Sequence, residues 1–233
     1  MFLSETVGVG PVKVMLLAAG RGERMGELTR HEPKPLLDIG GERLIERQLR
    51  SLAGSGFREI VINLSYRGGA IREFLGTASR WGQSIAYSEE GEPALETGGG
   101  IIAALPLLGD APFIAVNADI VTDFDYAELR HKRADALLVL VPNPAHHAKG
   151  DFGLTPSGLV TFEPPLLTFA GISVLSPKIF QGIEPGRQRL RPILESAIAQ
   201  HRVEGVCYEG FWQDIGTPER LAEARQLADT LGC

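Results

Sequence analysis

Apolar positions along the chain follow two alternating periods. Predominantly apolar runs at residues 12–19 (VKVMLLAA), 59–64 (EIVINL), 112–117 (PFIAVN) and 136–141 (ALLVLV) have the pattern of strands covered on both faces. Between the first two, Leu44, Ile45, Leu49, Leu52 and Ala53 recur at helical spacing, which predicts a helix over 42–53 that stops at Gly54-Ser55-Gly56. Further helices are predicted over 70–75 and 100–105, with a strand at 85–88 between them. Strands separated by single helices predict a mostly parallel sheet with helices on both faces.

Beyond residue 126 the rhythm loosens. A helix is predicted over 126–133, and Pro156-Ser157-Gly158, set between short strand-like pieces in 152–160, predicts a hairpin. Residues 167–175 read as a strand, 190–199 as a helix and 203–208 as a strand. The closing helix starts with Thr217 as N-cap and Pro218 at the first helical position. Leu221, Ala224, Leu227, Ala228 and Leu231 form its apolar face. Residues 1–11 read as a loose leader, and no repeat of 20 to 50 residues is visible.

Composition narrows the function classes. The 233 residues are 44% hydrophobic and 22% charged, ordinary values for one folded domain. A net charge of −6 argues against a partner whose many phosphates must be neutralised, so no nucleic acid is expected and small anions are the better ligands. Cys207 and Cys233 fit neither a disulfide framework nor a zinc cluster and read as spare thiols. No apolar run has the length of a membrane span, and the leader lacks a basic-then-apolar pattern, so the expected location is cytoplasmic.

The candidate chemistry begins where the first strand ends, at Gly20-Arg21-Gly22-Glu23-Arg24-Met25-Gly26. The spacing invites a dinucleotide-binding reading, but Pro33 and Pro35 fall where that fold needs a continuous helix. The second strand also ends in Asn63-Leu64-Ser65, with no carboxylate for a ribose hydroxyl. The remaining readings are a plain surface turn and a backbone cradle for a phosphate or a base edge. Arg24 and Lys34 would add charge to a cradle, and a lysine between two prolines has a stiff, extended backbone that limits where its ammonium points. Glu96-Thr97-Gly98-Gly99-Gly100 reads either as a flexible hinge or as a backbone that a flat base can approach. Taken singly, Asp119 and Asp214 read as turn or cap residues. Glu89, Glu90, Glu92, Asp123 and Asp125 read as solvated acidic surface, and His146 and His147 as solvated loop residues.

The segment LAAGRGERMGELTRHEPKPLLDIGGERLIE resembles the signature of sugar-1-phosphate nucleotidyltransferases, LAAGxGxRxxPLTxxxPKPLLxVxGxPLI. Later segments, among them Asn117-Ala118-Asp119 and Trp212-Gln213-Asp214-Ile215-Gly216-Thr217-Pro218, are similar in order to the uridylyltransferase branch of that family that serves peptidoglycan recycling. The resemblance implies a single Rossmann-like α/β domain whose mostly parallel mixed sheet is flanked by helices. It implies a nucleotide-binding half over about 12–125 and a sugar-binding half over about 126–233. The implied substrates are UTP and a sugar 1-phosphate, and the implied cofactor is Mg2+ held by Asp119 and Asp214. Arg24 and Lys34 would serve the reacting phosphates, and Ala19, Gly20, Gly22 and Glu23 the nucleotide. Thr97 and Gly98 would lie by the base, Asn117 and Asp151 would contact the sugar or its phosphate, and Gly171 would line the sugar pocket. Two departures stand out. Gly26-Glu27 replaces an Arg-Pro pair, and Ala118 replaces a glycine, so the backbone at 118 must avoid positive φ or be strained. The short interval between Asp151 and Thr168, with Glu163-Pro164-Pro165, implies a different cover over the sugar. Alternatives are another sugar 1-phosphate, such as that of glucose or mannose, and a catalytically silent nucleotide-binding regulatory module.

Overall fold

A computed structural model describes residues 12–132 and 134–231, so the predicted leader at 1–11 lies outside the described residues. The elements in order are β1 (Val14–Leu17), α1 (Leu28–His31), β2 (Asp38–Ile39), β3 (Glu42–Arg43), α2 (Leu44–Gly54), β4 (Glu59–Leu64), α3 (Gly68–Leu75) and β5 (Ser84–Glu89). There follow α4 (Glu96–Leu108), β6 (Phe113–Asn117), β7 (Ile120–Thr122), β8 (Ala136–Val141), β9 (Phe152–Leu154), β10 (Val160–Thr161) and β11 (Leu166–Leu175). The chain closes with α5 (Leu190–Ala199), β12 (Val203–Cys207), β13 (Trp212–Asp214) and α6 (Pro218–Leu231).

One nine-stranded sheet runs in the order β10-β9-β11-β6-β1-β4-β5, with β8 joined to β11 and β12 beyond β8. Within it only β11 and β10 run against the other strands, so the sheet is mixed and mostly parallel. Period-two alternation splits the core between its faces. Val14 and Leu16 of β1 pack with Leu49 and Leu52 of α2, whereas Met15 packs on the other face with Ile101 of α4 and Leu194 of α5. The three β1 side chains are wholly buried, each contributing roughly 2 kcal/mol of hydrophobic stabilisation. Burial on both faces is why these strands read as predominantly apolar runs without polar alternation. Among the described residues no helix is long and apolar enough to cross a membrane.

Three features differ from the sequence expectation. The helix predicted over 126–133 is a single 3-10 turn, Tyr126–Leu129, because Asp125 accepts the Ala127 amide and the Tyr126 hydroxyl, wholly buried, donates to Gln48 Oε1 at 2.8 Å. Helix α4 starts at Glu96 and absorbs the three glycines. A separate antiparallel ribbon, β7 with β13, joins residues far apart in sequence and carries no periodic signal, being three residues long on each side.

Candidate active site

The parallel strands β1, β4 and β6 end together, and the loops leaving them surround a cleft of about 630 Å³. The first wall is the glycine loop. Gly22 takes φ +67°, and a Cβ there would lie 3.1 Å from Thr29 Cγ2 and 3.2 Å from Lys34 Cβ, so glycine is required both for the turn and for the close approach. The Thr29 hydroxyl ties the loop by reaching the Gly22 carbonyl at 3.0 Å. Among the described residues the backbone amides of Ala19, Gly20, Arg21 and Gly22 donate to no protein acceptor. Free amides converging beside a cleft suit a phosphate. Arg24 is exposed, lines the same cleft and makes no ion pair among the described residues. In place of the Arg-Pro pair, Gly26 takes φ +57° and Glu27 pairs with Arg30 at 2.6 Å.

Lys34 is buried, and its ammonium bonds to Asp119 Oδ2. Its backbone is not extended as expected: it opens a 3-10 turn, Lys34–Leu36, closed by the Leu37 amide on the Lys34 carbonyl at 3.0 Å. The turn bonds outweigh the usual preference of a residue before proline, and the side chain is fixed all the same.

Asp119 and Asp214 are brought together by the β7–β13 ladder, in which Asp214 sits opposite Ile120 and the Ile215 amide donates to the Asp119 carbonyl at 2.7 Å. Asp119 lines the cleft directly. Asp214 does not, and its carboxylate is held by Arg220, itself buried, and by His146 Nε2 at 2.9 Å. Each carboxylate therefore has its own basic partners. Among the described residues no group of three or more His, Cys, Asp or Glu side chains gathers as a metal site. Two hard carboxylates without a third protein ligand fit Mg2+, which keeps several waters and takes substrate phosphate oxygens, far better than zinc. Ala118 resolves its own question, being buried in the core and outside the positive-φ region.

A second cavity of about 290 Å³ shares Leu17, Glu96, Thr97 and Asn117 with the cleft and adds Asp151 and Gly171. Gly171, at φ +72°, falls within the register shift of β11 between Phe169 and Ser173, and a Cβ there would lie 2.8 Å from Asn117 Cγ. The bulge thus makes room for Asn117, whose side chain has no protein hydrogen bond among the described residues. Asp151 is held by the Phe169 amide at 2.9 Å and by His147 Nε2 at 3.1 Å.

Of the residues expected from the sequence, Ala19, Gly20, Gly22, Glu23, Arg24, Lys34, Thr97, Asn117 and Asp119 line the cleft, and Asp151 and Gly171 the second cavity. Gly98 lines neither. It is buried where a Cβ would stand 2.9 Å from the carbonyl oxygens of Gln188 and Arg189, so the glycine run forms a packing surface for the 186–189 segment within a regular helix. His146 and His147 are solvent-accessible loop residues as expected, and each also pairs with a carboxylate. One further expectation is corrected: Glu90 is half-buried, accepting Asn63 Nδ2 at 2.5 Å and the Leu95 amide at 2.8 Å. Asn63 in turn accepts the Ala18 amide at 2.8 Å and so ties β1 to the start of α4. Arg187, Arg189, Arg191 and Arg220 were missed, although the alternation Arg187-Gln188-Arg189-Leu190-Arg191 was a signal in the sequence; Arg220 alone stands isolated.

The Nucleotidyl transferase family model matches residues 13–160. The chain is 46% identical over 227 residues to N-acetylmuramate alpha-1-phosphate uridylyltransferase of Neisseria meningitidis, covering 93% of this chain and 98% of that one. It is 34% identical over 241 residues to the protein of the same name in Caulobacter vibrioides, covering 94% and 98%. In fold it is similar to HddC of Yersinia pseudotuberculosis, with TM-score 0.77, 23% identity and coverage of 93% and 99%.

Proposed function

This chain belongs to the Nucleotidyl transferase family as a sugar-1-phosphate nucleotidyltransferase, and from that premise we propose that it transfers the uridylyl group of UTP to N-acetylmuramic acid α-1-phosphate, giving UDP-N-acetylmuramic acid and pyrophosphate for peptidoglycan recycling. The observation that carries the reading is the meeting of Lys34, Asp119 and Asp214 beside the unpaired amides of the glycine loop, in a chain that aligns with two uridylyltransferases over nearly its whole length.

In this reaction an oxygen of the sugar phosphate forms a bond to the α-phosphorus of UTP while the bond to the pyrophosphate oxygen breaks. The attacking phosphate is ionised at neutral pH, so no general base is needed. Alignment and charge neutralisation carry the rate. The free amides of residues 19–22 and Arg24 hold the nucleotide phosphates on the leaving side, with Glu23 beside them. Lys34, fixed by its turn, places one positive charge at the reacting phosphates. Thr97 lies by the base, and Asn117, Asp151 and Gly171 receive the sugar and its phosphate. Asp119 and Asp214 would hold Mg2+, which would supply neutralisation of phosphate charge there. On this reading residues of about 12–125 hold the nucleotide and those of about 126–233 the sugar, with Asp214 returning to the phosphates. The location follows as cytoplasmic, where UTP is made.

The test is pyrophosphate release from UTP and Mg2+ with the 1-phosphates of N-acetylmuramic acid, N-acetylglucosamine, glucose and mannose. Preference for the muramic sugar is the expected result. Release with another sugar keeps the chemistry and replaces the substrate, and silence with all four and several nucleoside triphosphates leaves a nucleotide-binding module.

A further inference from the structure

Two carboxylates, Glu96 and Asp151, and two arginines, Arg189 and Arg191, line the second cavity, and the ion pairs leave one of the arginines without a carboxylate. Glu96 pairs with Arg187 at 2.8 Å. Asp151 is engaged by His147 at 3.1 Å and by Arg191 at 3.5 Å, and Arg191 also reaches Glu195 at 2.8 Å. Arg189, which lines the same cavity, has no ion pair or hydrogen bond through its side chain among the described residues.

The backbone beneath Arg189 is fixed. Gln188 exchanges hydrogen bonds with α4 and the residue before it, its amide donating to the Leu95 carbonyl at 2.9 Å and its carbonyl accepting the Gly99 amide at 2.9 Å. The contact is close because Gly98 and Gly99 have no side chain in the way. The glycine run of α4 therefore seats the segment that presents Arg189 to the cavity.

A sugar 1-phosphate brings its phosphate to the reacting centre, where Lys34 and the glycine loop already supply positive charge and amides. The Arg189 guanidinium, exposed at the edge of the adjoining cavity and unpaired among the described residues, is free to take a second anion carried on the sugar ring. N-Acetylmuramic acid differs from N-acetylglucosamine by a lactyl ether at O3, and that ether ends in a carboxylate. Resting on the substrate reading above, we propose that Arg189 is a specificity-determining residue that binds this lactyl carboxylate, with Arg191 at its side. Guanidinium is the group best suited to a carboxylate, which it can hold by two parallel bonds. Among the described residues Asp151 pairs with His147 and Arg191 and accepts the Phe169 amide, and makes no ion pair with Arg189.

The experiment compares kcat/KM for N-acetylmuramic acid 1-phosphate with that for N-acetylglucosamine 1-phosphate, at saturating UTP, in the wild-type protein and in Arg189→Ala, Arg189→Lys and Arg189→Glu. The ratio is the readout, since a general loss of activity cancels in it. Arg189→Ala is expected to lower the ratio about 10- to 100-fold, the worth of a charge-assisted hydrogen bond, mainly through KM for the muramic sugar. Arg189→Lys restores part of it, and Arg189→Glu lowers it further. A wild-type preference that survives Arg189→Ala within about twofold overturns this proposal alone. No preference in the wild-type protein overturns the substrate reading and the proposal together.

Discussion

The glycine loop after β1 and the glycine run in α4 look alike in composition, yet only the loop lines the cleft, and the two use the missing side chain in different ways. In the loop the backbone stands open: a Cβ at Gly20 or Gly26 would meet nothing within 4 Å, and Gly22 and Gly26 are glycines because φ is positive there. In the run the backbone is helical and buried, and a Cβ at Gly99 would collide with the Gly186 carbonyl oxygen. One segment offers amides to a ligand, and the other lets two pieces of the fold touch. The lesson is that a glycine signals either conformational freedom or absent bulk, and a sequence records only the residue.

The contrast predicts that changes around the loop strike turnover whereas changes in the run strike stability. The largest effect is expected from Asp119→Ala or Lys34→Ala, each lowering kcat by about a hundredfold or more while a cooperative unfolding transition is kept. Near-normal turnover in either would remove the roles given to the cleft. Next comes Gly99→Ala, expected to cost about 1–3 kcal/mol through overpacking, partly offset by the helix propensity of alanine. Thermal unfolding checks it, at roughly 2–4 °C per kcal/mol for a domain of this size. An unchanged Tm would mean that the 186–189 segment does not bear on α4 as described. Gly20→Ala is expected to alter stability by no more than about 0.5 kcal/mol, since its site is open and its φ is not positive. A loss as large as that of Gly99→Ala would break the comparison.

Tyr208, remote from both segments, gives the smallest and most specific effect. Burial first, and then its hydrogen bond to Asp123, push its hydroxyl from the ordinary 10.0 up to about 12. The protonated form is favoured in the folded state, so its stabilisation is full below pH 10 and is lost as pH rises through about 12. Asp123→Asn should lower the midpoint for this tyrosine in a tyrosinate absorbance titration. No shift would mean that burial acts alone.

Much of the fold was legible because strands covered on both faces must be apolar throughout. The run ALLVLV gave β8 to the residue, and α5 was bounded correctly by its helical spacing. The closing helix was legible from Thr217-Pro218, and Thr217 Oγ1 indeed accepts the Arg220 amide, at 3.4 Å. The glycine loop, Lys34 and Asp119 were legible because they stand close in sequence or at the ends of predicted strands. Glu90 was not, since nothing in a run of acids marks the one that meets Asn63 and a helix amide. Nor was the pairing of His146 with Asp214 visible, the two being joined only through the folded chain.

The sequence by itself determined the layered α/β class, the order of most elements and the glycine loop with its lysine, because periodicity and local backbone chemistry act over a few residues. The family resemblance rested on those same stretches. The resemblance implied that Asp119 and Asp214 act together, but only the tertiary structure decided that the β7–β13 ribbon joins them, that Arg220 and His146 attend one of them, and that the α4 glycines seat Arg189. Each of these is a contact between residues remote along the chain, formed by short ribbons, bulges and bare helix faces. Such features leave at most a glycine in the sequence, because what they require is space and a partner, and the partner is supplied only when the core closes.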